Sequence, residues 1–457
     1  MTHSMKRRTF LALAGSGAVA RPSNEQLHIA TFQVDATPSI GDPLCFGLCQ
    51  PADRIDDRLT ARGVILFNAG LPIVLCAVDW VEIASRGYDE ICEDLAKGAG
   101  THVDRVTLHT LHQHDTPGYN PGAEEILAGN GLGGRLYGAE FVSVFRRRLA
   151  AAVTQALTQT QTVTHLGTGR GKVEKVASNR RVLGADGKVK YGRMSSCRIP
   201  EAIAAPEGTI DPYVTLLSFW NGNKPLVSIT YYATHPQSYY CKGGVSADFV
   251  GAARALREGA LPGVAHMHFN GAGGNVAAGK YNDGSPANRA VLAARVAQGM
   301  KLAWDATEKT PISAENVRWT VLPVRLPSNP RLQEAKLLEE VRNPTLPEKQ
   351  RTRAARDLSW LRLPSDRQIP LQSLDFGKTV VLHMPGELFV EYQLAAQSMR
   401  PDATVAMAAY GDCGPGYIGT RIAYSEGGYE TGEVSLVSPE VEGVLMKAMR
   451  QLLGKSS

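Results

Sequence analysis

Short apolar, β-branched runs alternate with amphipathic stretches of helical period along most of the chain, the signature of a mixed α/β protein. Residues 27–34 predict a strand, broken by Ala36-Thr37-Pro38 and Gly41-Asp42-Pro43. Residues 58–68 and 72–80 are two further apolar runs separated by Ala69-Gly70, which predicts a hairpin. A helix over 86–98 leads to a strand over 104–110. Phe141, Val144, Phe145, Leu149, Val153 and Leu157 recur at helical spacing, with Arg146 and Arg147 on the opposite face, where solvent is expected. Residues 163–169 read as a strand followed by a long loop through 208. Asn221-Gly222-Asn223-Lys224 between the runs 213–220 and 225–233 predicts a second hairpin. A helix over 247–258, a strand over 264–269 and a helix opening at Ser285-Pro286 come next. Strands over 371–376, 379–384 and 404–410 enclose a helix over 388–398, and Val441, Val444, Leu445, Ala448 and Leu452 form the stripe of a last helix.

Two segments break this rhythm. Residues 120–137 are Gly-rich and read as a loop that could serve as a lid, and residues 331–366 read as a charged, Pro-bounded helical excursion on the surface. No internal repeat and no dividing linker is evident. The expectation is an α/β (mixed α+β) fold of layered mixed β-sheets flanked by helices, in one domain over 21–457.

Composition narrows the class. The 457 residues are 43% hydrophobic and 20% charged, the balance of a globular protein, with a mild net charge of +5. No Lys/Arg block is interleaved with aromatics, so a nucleic-acid partner is not expected, and no transmembrane segment is expected in the mature chain. A small-molecule substrate is the expected partner. Residues 1–20 differ from the rest: Lys6-Arg7-Arg8-Thr9-Phe10-Leu11 precedes an Ala/Gly-rich stretch ending in Ala18-Val19-Ala20. That order resembles a twin-arginine export signal, cleaved to leave a periplasmic or secreted protein beginning near Arg21. Seven scattered cysteines do not make a disulfide scaffold. Cys45-x3-Cys49 is open to a metal half-site or a local disulfide, with buried or free thiols as the expectation for the set.

The chemistry gathers at strand ends. Leu111-His112-Gln113-His114-Asp115-Thr116-Pro117-Gly118 follows one strand, and His235, in Thr234-His235-Pro236, terminates another. Pro385-Gly386-Glu387 and Gly416-Tyr417 follow two more. Two neutral imidazoles and a carboxylate make a common catalytic zinc shell with a coordination position left for water. Asp79 closes a further apolar run, as a loop cap or a cleft residue. The loop Asn270-Gly271-Ala272-Gly273-Gly274-Asn275-Val276-Ala277-Ala278-Gly279 has glycines that let backbone amides approach a ligand, but it lacks the Lys-Ser/Thr of a phosphate loop.

These segments resemble, in order, the motifs of the neutral ceramidase family, zinc amidases that cleave the N-acyl bond of ceramide. Val34-Asp35-Ala36-Thr37-Pro38 is similar to that family's Asp-Ile-Thr-Pro, and Leu111 to Gly118 resembles its Thr-His-Thr-His-Ser-Gly-Pro-Gly. Asn179-Arg180, Ala233-Thr234-His235, Pro385-Gly386-Glu387 and Gly416-Tyr417-Ile418-Gly419-Thr420 resemble its other motifs. The resemblance implies a single catalytic domain of neutral-ceramidase type, in which His112, His235, Glu387 and Tyr417 bind zinc (Zn2+) while His114 and Arg180 contact the substrate. Two departures stand out. The family's Gly-Asp-Val-Ser-Pro-Asn, bearing a serine tied to catalysis, appears as Gly274-Asn275-Val276-Ala277-Ala278-Gly279, and the family's C-terminal β-domain has no counterpart.

The expected activity is therefore a zinc-dependent hydrolase in which metal-activated water cleaves an amide or similarly polar bond of a small or sugar-derived substrate. Asp115 and Asp79 are the candidate general bases. The competing readings are a ceramidase-like lipid amidohydrolase with an apolar acyl tunnel, and a ligand-binding pseudoenzyme.

Overall fold

A computed structural model describes residues 26–455. The expected export signal and its cleavage point lie outside the described residues. The expected mixed α/β class is what the chain adopts, with sheets flanked by helices. The three large sheets follow one plan, and here the sequence reading needs correcting, because the chain contains an internal repeat of topology.

In the first unit, strands Leu27–Asp35, Thr60–Asn68 and Gly70–Val78 pair antiparallel in succession. The helix Arg86–Ala99 then crosses over to Val106–Thr110, which lies parallel to Gly70–Val78. The second unit repeats the order with His165–Lys172, Tyr213–Asn221 and Lys224–Tyr232 antiparallel, the crossover helix Asp248–Ala260, and Ala265–Asn270 parallel to the third strand. The third unit has Arg318–Val324, Ile369–Asp375 and Thr379–His383, the crossover helix Val390–Met399, and Thr404–Ala408 parallel to its third strand. Each unit ends with a longer helix, Ala139–Ala156, Pro286–Asp305 or Val441–Leu452.

Strand alternation explains the layering. In Thr60–Asn68, Val64 and Leu66 face one side while Ala61 and Ile65 face the other. The first side joins Leu217, Phe219 and Ile229 of the second unit and Leu374, Val381 and Ala406 of the third in one shared core. The three sheets thus turn one face inward on each other, and each outer face is covered by helices. At about 1.5–3 kcal/mol for a fully buried aliphatic or aromatic side chain, this central core is a main source of stability.

Three local readings are corrected. Residues 121–128 form a helix, Pro121–Ala128, because Asn120 caps it by accepting from Ala123 N–H at 3.0 Å and Pro121 sits at its first position. The 331–366 segment folds as helices Glu334–Arg342 and Glu348–Leu361, and the second packs against Pro121–Ala128 rather than standing free. Arg146, expected in solvent, crosses to the first crossover helix and donates to Glu90 and Asp94 at 2.5 and 2.6 Å. Cys49 bonds Cys241, while Cys45, Cys76, Cys92, Cys197 and Cys413 are free and buried.

Candidate metal centre and its cleft

Parallel strands whose chains turn away at their carboxyl ends leave a crevice there. Each unit contributes to one such crevice. In the first, Leu111 N–H donates to Val78 O at 3.0 Å and His112 N–H to Trp80 O at 2.9 Å, and these bonds hold His112 at φ +67°. A left-handed histidine costs of order 1–3 kcal/mol, and here it aims the ring inward. In the second unit, His235 N–H donates to Val276 O at 2.8 Å, tying it to the Gly-rich loop. In the third, Glu387 pairs in parallel with Tyr417 between Gly386 and Gly416, both at positive φ.

The Gly-rich loop serves this assembly differently from expectation. A Cβ at Gly274 would lie 2.2 Å from Glu387 O, so the loop's close approach is to the protein's own backbone and not to a ligand. It wedges the segments bearing His235 and Glu387 together.

His112 Nδ1–H donates to Val81 O at 2.8 Å, and His235 Nδ1–H donates to Gly273 O at 2.7 Å. Carbonyls only accept, so in the neutral rings both Nε2 atoms carry lone pairs. They converge on Glu387 Oε2, at 3.0 Å from His112 and 2.9 Å from His235. His112 Nε2 is buried and meets no hydrogen-bond geometry with any partner among the described residues. Three buried acceptors face one another, and their ligand atoms all lie within 4.8 Å. A cation is what such an arrangement accommodates, with each ring fixed from behind by a backbone carbonyl. The donor set fits zinc.

The hydroxyl of Tyr417 lies 3.1 Å from His235 Nε2, and its ring stacks on that imidazole at 5.8 Å. Arg180 Nη1 donates to the same hydroxyl at 3.0 Å, while its Nε faces Glu430 at 3.1 Å. His114 lies edge-on to His112 at 5.0 Å and accepts from Gln237. The structure therefore brings His112, His235, Glu387, Tyr417, Arg180 and His114 together.

The electrostatics separate these groups. Burial opposes charge on Glu387, yet His112 and His235 outweigh it and hold the carboxyl well below its usual range. Burial also opposes charge on His112, but Glu387 raises it above the ordinary imidazole value. Burial and the nearby Arg180 push His235 down to about 4. His114 is lowered too, by burial and by the other two imidazoles.

The two candidate bases sit elsewhere. Asp79 is fully buried and gripped by Arg254, whose Nη2 and Nη1 donate at 2.6 and 3.0 Å, with Thr60 and Gln113 completing its partners. Asp115 accepts from Cys241 N–H at 2.7 Å and faces Arg289 at 3.5 Å, and burial raises it to about 6. Both carboxylates brace loops. The cleft carboxylate that the sequence reading missed is Glu82, on the two-residue strand Glu82–Ile83, which pairs in parallel with Gly118–Tyr119. Its Oε2 accepts from Arg356, and burial raises its pKa against the pull of that arginine.

Glu82, His112, His114, Glu387 and Tyr417 line a cleft of about 420 Å³. Phe46, Leu48 and Val81 supply apolar wall on one side, and Lys349, Arg353 and Arg356 come from the Glu348–Leu361 helix. The segment expected as a surface excursion is thus a wall of the cleft. Phe46 lies under Arg356, with the guanidinium carbon 4.1 Å from the ring centroid, and the Cys49–Cys241 disulfide ties the Phe46 turn to the loop that follows His235.

No protein-family model matches the chain, and no curated protein matches it by sequence. Solved structures do. One, described as "Ceramidase complexed with C2", has a TM-score of 0.69 at 16% identity, over 93% of this chain and 74% of its own. Another, the neutral ceramidase from Pseudomonas aeruginosa, has a TM-score of 0.69 at 18% identity, over 95% of this chain and 76% of its own. At these identities the likeness is one of fold, and the chain folds as these ceramidase structures do.

Proposed function

We propose that the protein is a zinc-dependent hydrolase that cleaves an amide or similarly polar bond in a small substrate. The observation that carries this reading is the convergence of two buried imidazole lone pairs on one glutamate oxygen, each ring pinned by a carbonyl. His112, His235 and Glu387 would hold the ion, with the Tyr417 hydroxyl beside them. A zinc bound there supplies a water acidified to a pKa of about 7 and a Lewis acid for the attacked group.

The chain's own residues divide the remaining work. Arg180, fixed by Glu430 and Tyr417, puts a permanent cation where an oxyanion would form. His114, kept neutral by burial and flanking imidazoles, contacts the substrate. Glu82 takes the attacking water's proton at Oε1, the oxygen that Arg356 leaves free. Residue 277 has no hydroxyl, which favours water over serine as nucleophile.

The cleft mixes charged and apolar walls and is bounded, which favours a small or sugar-derived substrate over a long acyl chain. We also propose export to the periplasm or medium. The Cys49–Cys241 disulfide suits an oxidising compartment, and among the described residues no helix is long and apolar enough to cross a membrane. N-terminal sequencing of the exported form should begin near Arg21, and a cytoplasmic chain with its Lys6 to Leu11 segment intact would contradict export.

Elemental analysis of metal-replete protein should find about one zinc per chain. Hydrolysis of a panel of N-acyl amides and glycosides should stop on chelation and return with zinc. Absence of stoichiometric zinc would remove the basis of the reading.

A further inference from the structure

The wall opposite the metal centre has an ordered charge pattern. Lys349, Arg353 and Arg356 fall at i, i+4 and i+7 of the Glu348–Leu361 helix, so all three lie on the face that lines the cleft. Their exposure rises outward: Arg356 is 24% exposed, Arg353 is 42% exposed, and Lys349 is exposed. At about 1.5 Å per residue, Arg353 and Lys349 stand roughly 4.5 and 10 Å along the helix from Arg356.

The carboxylates near this row do not cancel it evenly. Glu82 occupies Arg356 at the buried end. Asp357 is held by Arg331 at 3.2 Å, and Glu348 by Arg135 at 3.4 Å. Arg353 meets Glu433 at 2.5 Å, but Glu433 is 70% exposed, and such pairs are worth only about 0–1 kcal/mol. A ligand anion displaces that partner at little cost. Lys349 has no carboxylate partner among the described residues. The cleft is therefore neutralised near the metal centre and cationic toward its mouth.

We infer that the cleft selects substrates bearing an anionic oxyacid group, a carboxylate in the simplest case, several bonds away from the bond that is cleaved. Lys349 and Arg353 are the residues that recognise it. A substrate of this class is an N-acyl amino acid or a related acidic amide, with the scissile group at the metal and its acid toward the mouth. The inference rests on the hydrolase reading for the position of the scissile bond, but the anion preference itself stands on the helix alone. Such a row also disfavours an uncharged lipid, which would leave these cations without counterions.

The test is titration calorimetry on the intact protein, zinc-loaded and chelated in parallel. The probes are N-acetylglycine, N-acetyl-β-alanine and 4-acetamidobutyrate, each against its uncharged carboxamide at low salt. At least one acid should bind about fivefold or more tightly than its carboxamide in both metal states, and the advantage should shrink at high ionic strength. Lys349→Gln or Arg353→Gln alone should remove part of the preference, and the double substitution all of it. Both side chains reach solvent, so these variants should fold as the parent does. Equal binding of acid and carboxamide, a preference that survives the double substitution, or one that exists only with zinc present would each overturn the inference. Failure to bind zinc, with the preference intact, would instead refute the hydrolase reading alone.

Discussion

The first and third units place a glutamate at the same point of the same frame and use it differently. In the first, Glu82 lies four residues beyond the end of Gly70–Val78 and pairs in parallel with Gly118. In the third, Glu387 lies four residues beyond the end of Thr379–His383 and pairs in parallel with Tyr417. The partner decides the outcome. Tyr417 brings a hydroxyl to the site, whereas Gly118 makes room for the Phe46 ring, which a Cβ there would meet at 2.4 Å. Glu387 faces two imidazoles and is held well below its usual range. Glu82 faces one guanidinium and is raised by burial. The repeat sets where a carboxylate stands, and the neighbours set what it does.

Breaking the third-unit member should have the largest effect. Glu387→Ala should weaken zinc binding by about 100-fold or more and abolish turnover, because it removes the carboxylate that His112 and His235 both meet. Zinc content after dialysis measures this, and a variant that retains full zinc would remove Glu387 from the metal site. Breaking the first-unit member should separate chemistry from metal binding. Glu82→Gln should keep its zinc and lower kcat by about 100-fold with little change in KM. If Glu82→Gln loses zinc instead, the two glutamates share one role in holding the metal.

Strand alternation, the two hairpins and the long amphipathic helices were legible in the sequence because each leaves a local period. The histidines and Glu387 were legible as strand-end residues, and their convergence became an expectation only through the resemblance of ordered motifs. Glu82 was not legible. It sits in Trp80-Val81-Glu82-Ile83 with no motif around it, and its meaning comes from pairing with Gly118 and from Arg356, 274 residues away. The repeat was hidden for a similar reason: the units share strand order while their connections differ in length and side chains. The cleft wall was misread because a charged helix looks solvated from its sequence, and only packing against Pro121–Ala128 turns it inward.

Outside the cleft, two buried strand histidines stay neutral. His109 donates from Nδ1 to Ala409 O at 2.8 Å, and burial lowers it to about 4, while burial lowers His268 to about 3. Unfolded, each ring titrates near 6.5, so below that pH the unfolded chain binds more protons than the folded one. Stability contributed by these rings is complete above about pH 6.5 and is lost as pH falls toward their folded values. The loss should be about 2 kcal/mol per ring between pH 6.5 and 5. Urea denaturation at pH 7 and pH 5 measures the total, and His268→Asn should flatten the slope. An unchanged slope would mean that the ring is protonated in the folded protein.

The smallest expected effect falls in the second unit, where the comparison has no glutamate to offer. Ala277 pairs with Ser178, and its side chain is fully buried beside the segment that anchors His235. Ala277→Ser adds a hydroxyl to that packed site, at a stability cost of about 1–3 kcal/mol if it finds no partner. With water as nucleophile, neither kcat nor zinc content should depend on the new group, so activity should stay within about twofold of the parent on any N-acyl amide that the parent hydrolyses. The opposite outcome is equally readable. A parent inert on every substrate of the panel, beside an Ala277→Ser variant that hydrolyses an N-acyl amide, would show that the frame and metal site persist here without the catalytic group, and the protein would then be a binding protein built on a hydrolase fold.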